Sequence, residues 1–315
     1  MQATSAQKKA KSRSFWTIMR QDYLYYIFLL PSLVVTILFA YIPMFTNVVA
    51  FMDYVPYKGW MGLESDFVGF ANFQSLMSDP GFWILVQRTI YYSVLISVVT
   101  FPASILFALL LNEVRNMAFK RIVQTVSYLP YFVSWVTIAS LFYIFMSQDT
   151  AGIINNIRGL FGLERVIFMK YPSNFPAVLV ISSLYKGLGW GSIIYLAAIA
   201  GVDAQLYEAA RIDGASRFRQ AWNITLPSIL PTITIMLVMS MGSLFSSNFD
   251  QVYTMQNPLI SPETDTIATY TYVVSLVKMR YSAGATIGLF QGVVNAIFLL
   301  GSDKISKKLS GYGLF

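Results

Sequence analysis

Runs of apolar residues too long for an ordinary soluble helix alternate along this chain with short polar stretches. A bilayer's hydrocarbon core is about 30 Å thick and takes roughly 20 consecutive apolar residues as helix. Six stretches qualify, at about 24–50, 84–111, 122–146, 176–200, 228–247 and 283–301. They are apolar all round rather than striped, as helices flanked by lipid are. Pro31 and Pro43 predict a kinked first span, and Pro130 sits within the third. The expected fold is all-α and integral to a membrane. Six transmembrane helices fill 24–301, after a basic segment 1–23 and before a tail 302–315.

An even number of spans puts both termini on one side, together with loops 112–121 and 201–227. That side carries 14 Lys and Arg against 6 Asp and Glu, and the other side 6 against 9. Lys/Arg enrichment marks the cytoplasm, so both termini and both basic loops are predicted inside. Segment 1–23 is too long for the charged region of a signal peptide, and no small-residue cleavage site follows it. The first span is therefore expected to stay as an anchor. Trp16, Tyr23, Tyr25 and Tyr26 before the first span, and Trp60 and Trp83 beyond it, fit an aromatic belt at the interfaces. The outer loops 52–83, 147–175 and 248–282 are expected to be short helices and turns resting on the membrane surface.

Composition agrees with lipid as the solvent. The 315 residues are 56% hydrophobic and 12% charged, against about 25% charged in a soluble domain. With no cysteine and no histidine, disulfides, thiolate chemistry, Cys/His zinc sites and imidazole catalysis are excluded. The net charge of +7 is spread over several short loops, without the basic stripe and interleaved aromatics of a nucleic-acid binder.

Loop 201–228, GVDAQLYEAARIDGASRFRQAWNITLPS, is too regular for a connector of four to six residues. Asp203 can cap a helix over 204–212, and Gly214 can supply a left-handed turn. Residues 215–223 can form a second helix, and Pro227 closes the unit. Ala209, Ala210 and Ala215 are small where two helices would approach, and Glu208, Arg211, Asp213, Arg217 and Arg219 alternate in sign. The segment EAARIDGASRFRQAWNITLP resembles the EAA loop of binding-protein-dependent ABC importer permeases. It matches at Glu208, Ala209, Ala210, Asp213, Gly214, Ala215, Ile224, Leu226 and Pro227, with Trp222 where carbohydrate members usually have Phe. FVGFANFQSLMSDPGFW (67–83), Pro130 and the ending YGLF (312–315) resemble the oligosaccharide branch, so the likeness covers most of the chain from about 24 onward.

That resemblance implies a five-helix core with one extra N-terminal helix, and a bacterial inner-membrane location. The loop would act as a coupling helix docked on an ATPase subunit. It implies a second, similar permease as heterodimer partner, two ATPase subunits holding ATP and Mg, and an extracytoplasmic binding protein. Alternating access would carry the sugar inward. Absences agree: no G-x-x-x-x-G-K-[ST] occurs, and Gly187, Gly189 and Gly191 lie inside an apolar span rather than between a strand and a helix. This chain is thus expected to be non-catalytic, with no cofactor, metal or nucleic acid of its own.

Within the spans, charge is costly and normally faces a cavity or a partner. Lys186 sits near the middle of the fourth span, beside three glycines that could loosen the helix. It reads as cavity-facing or partner-facing, or else as salt-bridged or snorkelling. Arg88, a turn or so from the outer end of the second span, reads equally as snorkelling. If both line the path they suit an acidic oligosaccharide, such as one built from uronic acids, of the alginate type. Ser240, Ser243 and Ser247 form a polar stripe with Asn248 beyond, and Gln291 and Asn295 are four apart. Each set fits a wet pathway or interhelical hydrogen bonding. Tyr185 and Trp190 are candidates for stacking on sugar. Gly284, Gly288 and Gly292 form a ridge for close packing, within the chain or against the partner permease. A secondary transporter would show acidic residues inside spans, and an intramembrane enzyme a nucleophile with its base; neither pattern is present.

Overall fold

The computed structural model describes residues 21–315 apart from 60, 61, 63, 246 and 247, with Leu309 as backbone alone. Segment 1–20 with Trp16, Trp60 and Ser247 lie outside the described residues. Contacts divide the chain after Val49 into two units. In the first, α1 (Tyr23–Thr36) holds Pro31 without breaking. Before Pro43 the helix widens to a π-turn over Ile37–Tyr41, and the Ile42 N–H reaches back to the Ile37 carbonyl. A proline cannot close its own turn, and the wider turn lets the helix pass it. Tyr23–Phe51 thus runs as one helical span, without the sharp breaks found at the third and fifth predicted spans.

The second unit opens on a two-residue antiparallel ladder, β1 (Met52–Asp53) against β2 (Asp66–Phe67), with Met52 opposite Phe67. Asn72 in α2 (Ala71–Ser78) donates to the carbonyls of Ala50 and Met52, both at 3.0 Å, and ties this segment down. Asp79 then caps α3 (Pro80–Glu113), accepting from the Gly81 N–H at 2.8 Å, and Pro80 takes the first position, where a missing N–H costs nothing. At 1.5 Å per residue α3 is about 50 Å long, well beyond the bilayer core.

The third predicted span is broken. Asn116 caps α4 (Met117–Tyr128), which tightens to a 3₁₀ turn over Leu129–Phe132 around Pro130. Val133 and Ser134 run extended, and Ser134 caps α5 (Trp135–Phe145) at a bend of 104°. After α6 (Ile153–Leu160) comes α7 (Phe175–Ala200), which lies along α3. The three glycines expected to loosen α7 leave it continuous. A Cβ on Gly189 would stand 2.2 Å from the Ser127 carbonyl oxygen, and one on Gly191 2.8 Å from the Ser104 hydroxyl. Two of the three therefore serve close packing against α4 and α3.

Loop 201–228 folds as α8 (Ala204–Ile212) and α9 (Arg217–Gln220), the latter continued by a π-turn Ala221–Thr225 and by Leu226–Ser228. The second helix thus starts later than the predicted 215 and runs through Pro227 instead of closing before it. The π-turn again stands immediately before a proline, with the Leu226 N–H on the Ala221 carbonyl. A 60° bend leads into α10 (Leu230–Met241), so the bend falls at the inner edge of the fifth predicted span, whose helix ends at Met241.

Segment 248–282 departs furthest from expectation. Its helix α11 (Phe249–Met255) does not rest on the surface: Gln251, Val252 and Met255 are fully buried. Val252, Met255 and Ile260 share a core with Tyr92, Ile138, Phe175 and Leu179. Short helices α12 (Ser261–Thr264) and α13 (Ile267–Tyr272) follow, then α14 (Tyr281–Ser310), which runs past the predicted end at 301. Gly311, at φ +75°, ends α14, and the Asp303 carboxylate accepts the Leu314 N–H from the tail folded back on it. Among the described residues, four helices are long and apolar enough to cross a membrane: Tyr23–Phe51, Pro80–Glu113, Pro172–Ala200 and Tyr281–Lys308. Each bent pair taken as one span brings the number to six.

Candidate functional site

Two regions of the second unit collect the residues nominated from sequence. The first is loop 201–228. The Asp203 side chain accepts from the Gln205 N–H at 2.9 Å and starts α8, as expected. Its end is a Schellman turn: Gly214 at φ +72° donates to the Arg211 carbonyl at 3.1 Å, and Ala215 to the Ala210 carbonyl at 2.8 Å. Ser216 starts α9, accepting from the Arg219 N–H. The two helices are joined by Tyr207 and Thr225, whose hydroxyls are 2.9 Å apart, and by Gln220, which donates to the Ala215 carbonyl at 2.8 Å. Glu208, Ala209, Asp213, Gly214 and Pro227 are exposed, and Ala210, Ala215 and Leu226 half-buried.

Ile212 is 87% exposed, Phe218 79% and Trp222 63%, and the two rings stack at 6.4 Å. Large apolar side chains held outward on a capped, cross-tied loop are the kind of exposed patch that meets a protein partner or a membrane surface. Ile212 and Phe218 went unnoticed in the sequence, although single large apolars among alternating charges are a usable signal. Beside them lies a polar groove of about 760 Å³, lined by Glu113, Arg115, Tyr207, Glu208, Arg211 and Arg217 among others. Arg217, first residue of α9, meets Glu113, last of α3, at 3.1 Å.

The second region is a cavity of about 650 Å³ between α3, α7 and α10. Ser97, Thr100, Phe101 and Ser104 line it from α3, with Tyr131 and Trp135 from the break of the third span. Ser183, Lys186, Gly187 and Tyr195 come from α7, then Ser240 and Asn248. Hydroxyls, aromatic faces and one cation are the chemistry that holds a sugar. Of the nominated residues, Lys186, Ser240 and Asn248 are brought here; Asn248 takes φ 72°, which Asn tolerates better than most. Ser97, Thr100 and Ser104 were missed, although their i, i+3, i+7 spacing is the same signal as the serines of the fifth span.

The remaining candidates are placed elsewhere. Arg88 donates to the carbonyls of Pro262, at 3.3 Å, and Asp265, at 3.2 Å, at the end of α12. Gln291 donates to the Phe245 carbonyl, and Asn295 accepts the Phe245 N–H, both at 3.0 Å. Ser243 turns its hydroxyl to the Ser240 carbonyl at 3.2 Å. Trp190 stacks on Tyr131 at 4.3 Å, and Tyr185 packs edge-on to Phe142 at 6.2 Å. A Cβ on Gly284 would meet that of Ser275 at 2.3 Å, whereas Gly288 and Gly292 border open space.

Comparison with known proteins gives these two regions a context. Residues 100–308 match the profile of the family described as binding-protein-dependent transport system inner membrane component. Protein LplB of Bacillus subtilis (strain 168) is 39% identical over 305 residues, 97% of this chain and 95% of the relative. The polygalacturonan/rhamnogalacturonan transport system permease protein YteP of the same organism is 37% identical, over 98% of this chain and 95% of the relative. A chain in the crystal structure of a bacterial alginate ABC transporter, in complex with an alginate pentasaccharide-bound periplasmic protein, superposes with a TM-score of 0.86. It is 33% identical and covers 96% of this chain and 100% of that one.

Proposed function

Because the chain belongs to the family of binding-protein-dependent transport system inner membrane components, we propose that it carries acidic oligosaccharides across a bacterial inner membrane as one of two permeases in an ATP-driven importer. At the coarser level it is a non-catalytic permease subunit of a carbohydrate ABC transporter. In this reading the chain crosses the membrane six times, with both termini and loop 201–228 in the cytoplasm. A second, similar permease completes the pathway, two ATPase subunits hold ATP and Mg, and an extracytoplasmic protein delivers the sugar. Gly288 and Gly292, open on α14, suit a close approach by the second permease.

The observation that carries this reading is the α8–Gly214–α9 unit. It is capped at both helix starts, cross-tied by Tyr207 and Thr225, and presents Ile212, Phe218 and Trp222 outward. Such a unit moves as a body, so closure of the ATPase pair can be passed to α3 through the Arg217–Glu113 pair and to α7 through its end at Ala200. Acidic sugars are favoured by the names of two relatives, whose polygalacturonan and alginate substrates are uronate polymers. A cation in the cavity points the same way.

Gly214→Asp in the reconstituted complex tests it. The site has open space around it but a left-handed backbone, which costs a non-glycine residue about 1–2 kcal/mol. Subunits should still copurify, while stimulation of ATP hydrolysis by loaded binding protein falls at least about tenfold. Undiminished stimulation would reduce the loop to a connector.

A further inference from the structure

A lysine ammonium has three N–H donors. Lys186 gives two of them to the carbonyls of Tyr131, at 2.8 Å, and Val133. Both carbonyls belong to the break between α4 and α5, where the chain turns through 104°. Carbonyls at a helix end lack intrahelical partners, and a cation is favoured there by the aligned peptide dipoles. The rings of Tyr131 and Trp135 lie 5.5 and 5.4 Å from the same nitrogen, within cation–π range. Lys186 therefore holds the break closed from a different helix.

Its charge is not matched. Among the described residues no carboxylate lies within ion-pair distance of Lys186, and protein carbonyls take two of its three donors. A half-exposed cation lining a cavity at membrane depth, held by two carbonyls and two π faces with no carboxylate beside it, is a site for an anion. Resting on the acidic-oligosaccharide reading, we propose that Lys186 takes a carboxylate of the transported sugar on its third donor and thereby links substrate charge to the bend of the third span. A carboxylate is a stronger acceptor than a carbonyl, so its arrival weakens the hold on Tyr131 and Val133 and lets the break change angle. Lys186 is then both a specificity determinant and a positioning residue for the helix that lines the path.

The test uses the complete transporter in nanodiscs, without binding protein, and two probes: trigalacturonate and its fully methyl-esterified form. The native complex should bind the free acid at least about tenfold more tightly, the worth of one charged hydrogen bond. Lys186→Gln should lose about tenfold for the acid and stay within twofold for the ester, and Lys186→Arg should recover most of the loss. Spin labels at Val126→Cys in α4 and Ile144→Cys in α5, both exposed positions, keep the test independent of how Lys186 variants assemble. With Lys186 native, the acid should shift their separation and the ester should not. Retained preference for the acid in Lys186→Gln, or equal label shifts with acid and ester, overturns the proposal while leaving the acidic substrate intact. Equal binding of both probes by the native complex instead removes the acidic-substrate reading, and this proposal with it.

Discussion

Two cations inside predicted spans, Lys186 and Arg88, share one structural habit. Each donates to carbonyls at the end of a broken or short helix that is distant in sequence. That a charge lay at membrane depth was legible; its acceptors were not, because they sit 53–55 and 174–177 residues away along the chain. Arg217 and Glu113 are likewise 104 residues apart, so no local pattern could pair them. Their side chains are 50% and 41% exposed, and such a pair contributes only about 0.2–1 kcal/mol. Its value lies in connecting the loop to α3. Glu113→Arg or Arg217→Glu alone should lower ATPase stimulation several-fold, with the unfolding temperature shifted by under about 4 °C. The double swap should restore it. Failure of the swap to recover stimulation, when both singles lose it, would mean that the two residues act separately.

At the level of elements, α7 shows why composition misleads. GLGWG in a soluble helix would loosen it, yet in lipid an unpaired peptide group has nothing else to bond, so the helix stays intact. What the glycines change is distance. Gly189 lets α7 touch the backbone of α4 at Ser127, while Gly187 faces the cavity with nothing within 4 Å. Gly189→Ala should therefore cost about 1–3 kcal/mol through forced separation of backbones. Gly187→Ala should be neutral or stabilising by up to about 1 kcal/mol. Thermal unfolding in detergent, followed by fluorescence, decides between them; equal losses at the two positions would contradict the packing argument. The breaks at Pro130 and near Pro227 are the complementary case. Proline marked both positions, and the chain turns more apolar beyond each, but neither signal gives the angle of the bend.

For the whole molecule, orientation is the statement most open to a direct check. Loop charge predicts 147–175 outside and the end of α14 inside. Since the chain contains no cysteine, one introduced thiol is a unique chemical address. Leu160→Cys, at an exposed position on α6, should react with a membrane-impermeant maleimide on intact spheroplasts. Lys308→Cys, exposed near the end of α14, should react only after permeabilisation. The reverse pattern would invert the assignment and place loop 201–228 away from any cytoplasmic ATPase.

The all-α membrane class, the six apolar stretches and loop 201–228 with its capping Asp203 and turning Gly214 were all determined by the sequence, because each rests on neighbours within about twenty residues. Apolar run length, Lys/Arg counts between runs and cap chemistry are local quantities. Tertiary structure alone decided which polar side chains face the cavity. Ser97, Thr100 and Tyr131 reach it, while Gln291 and Asn295 close on the Phe245 backbone. It also drew 248–282 into the core, where buried Gln251 donates to the Leu179 carbonyl at 2.7 Å and to Ser182 and Ser183 of α7. The reason is the same in each case. A polar group taken out of water must find a partner, and in a bundle that partner comes from a helix far away in the chain.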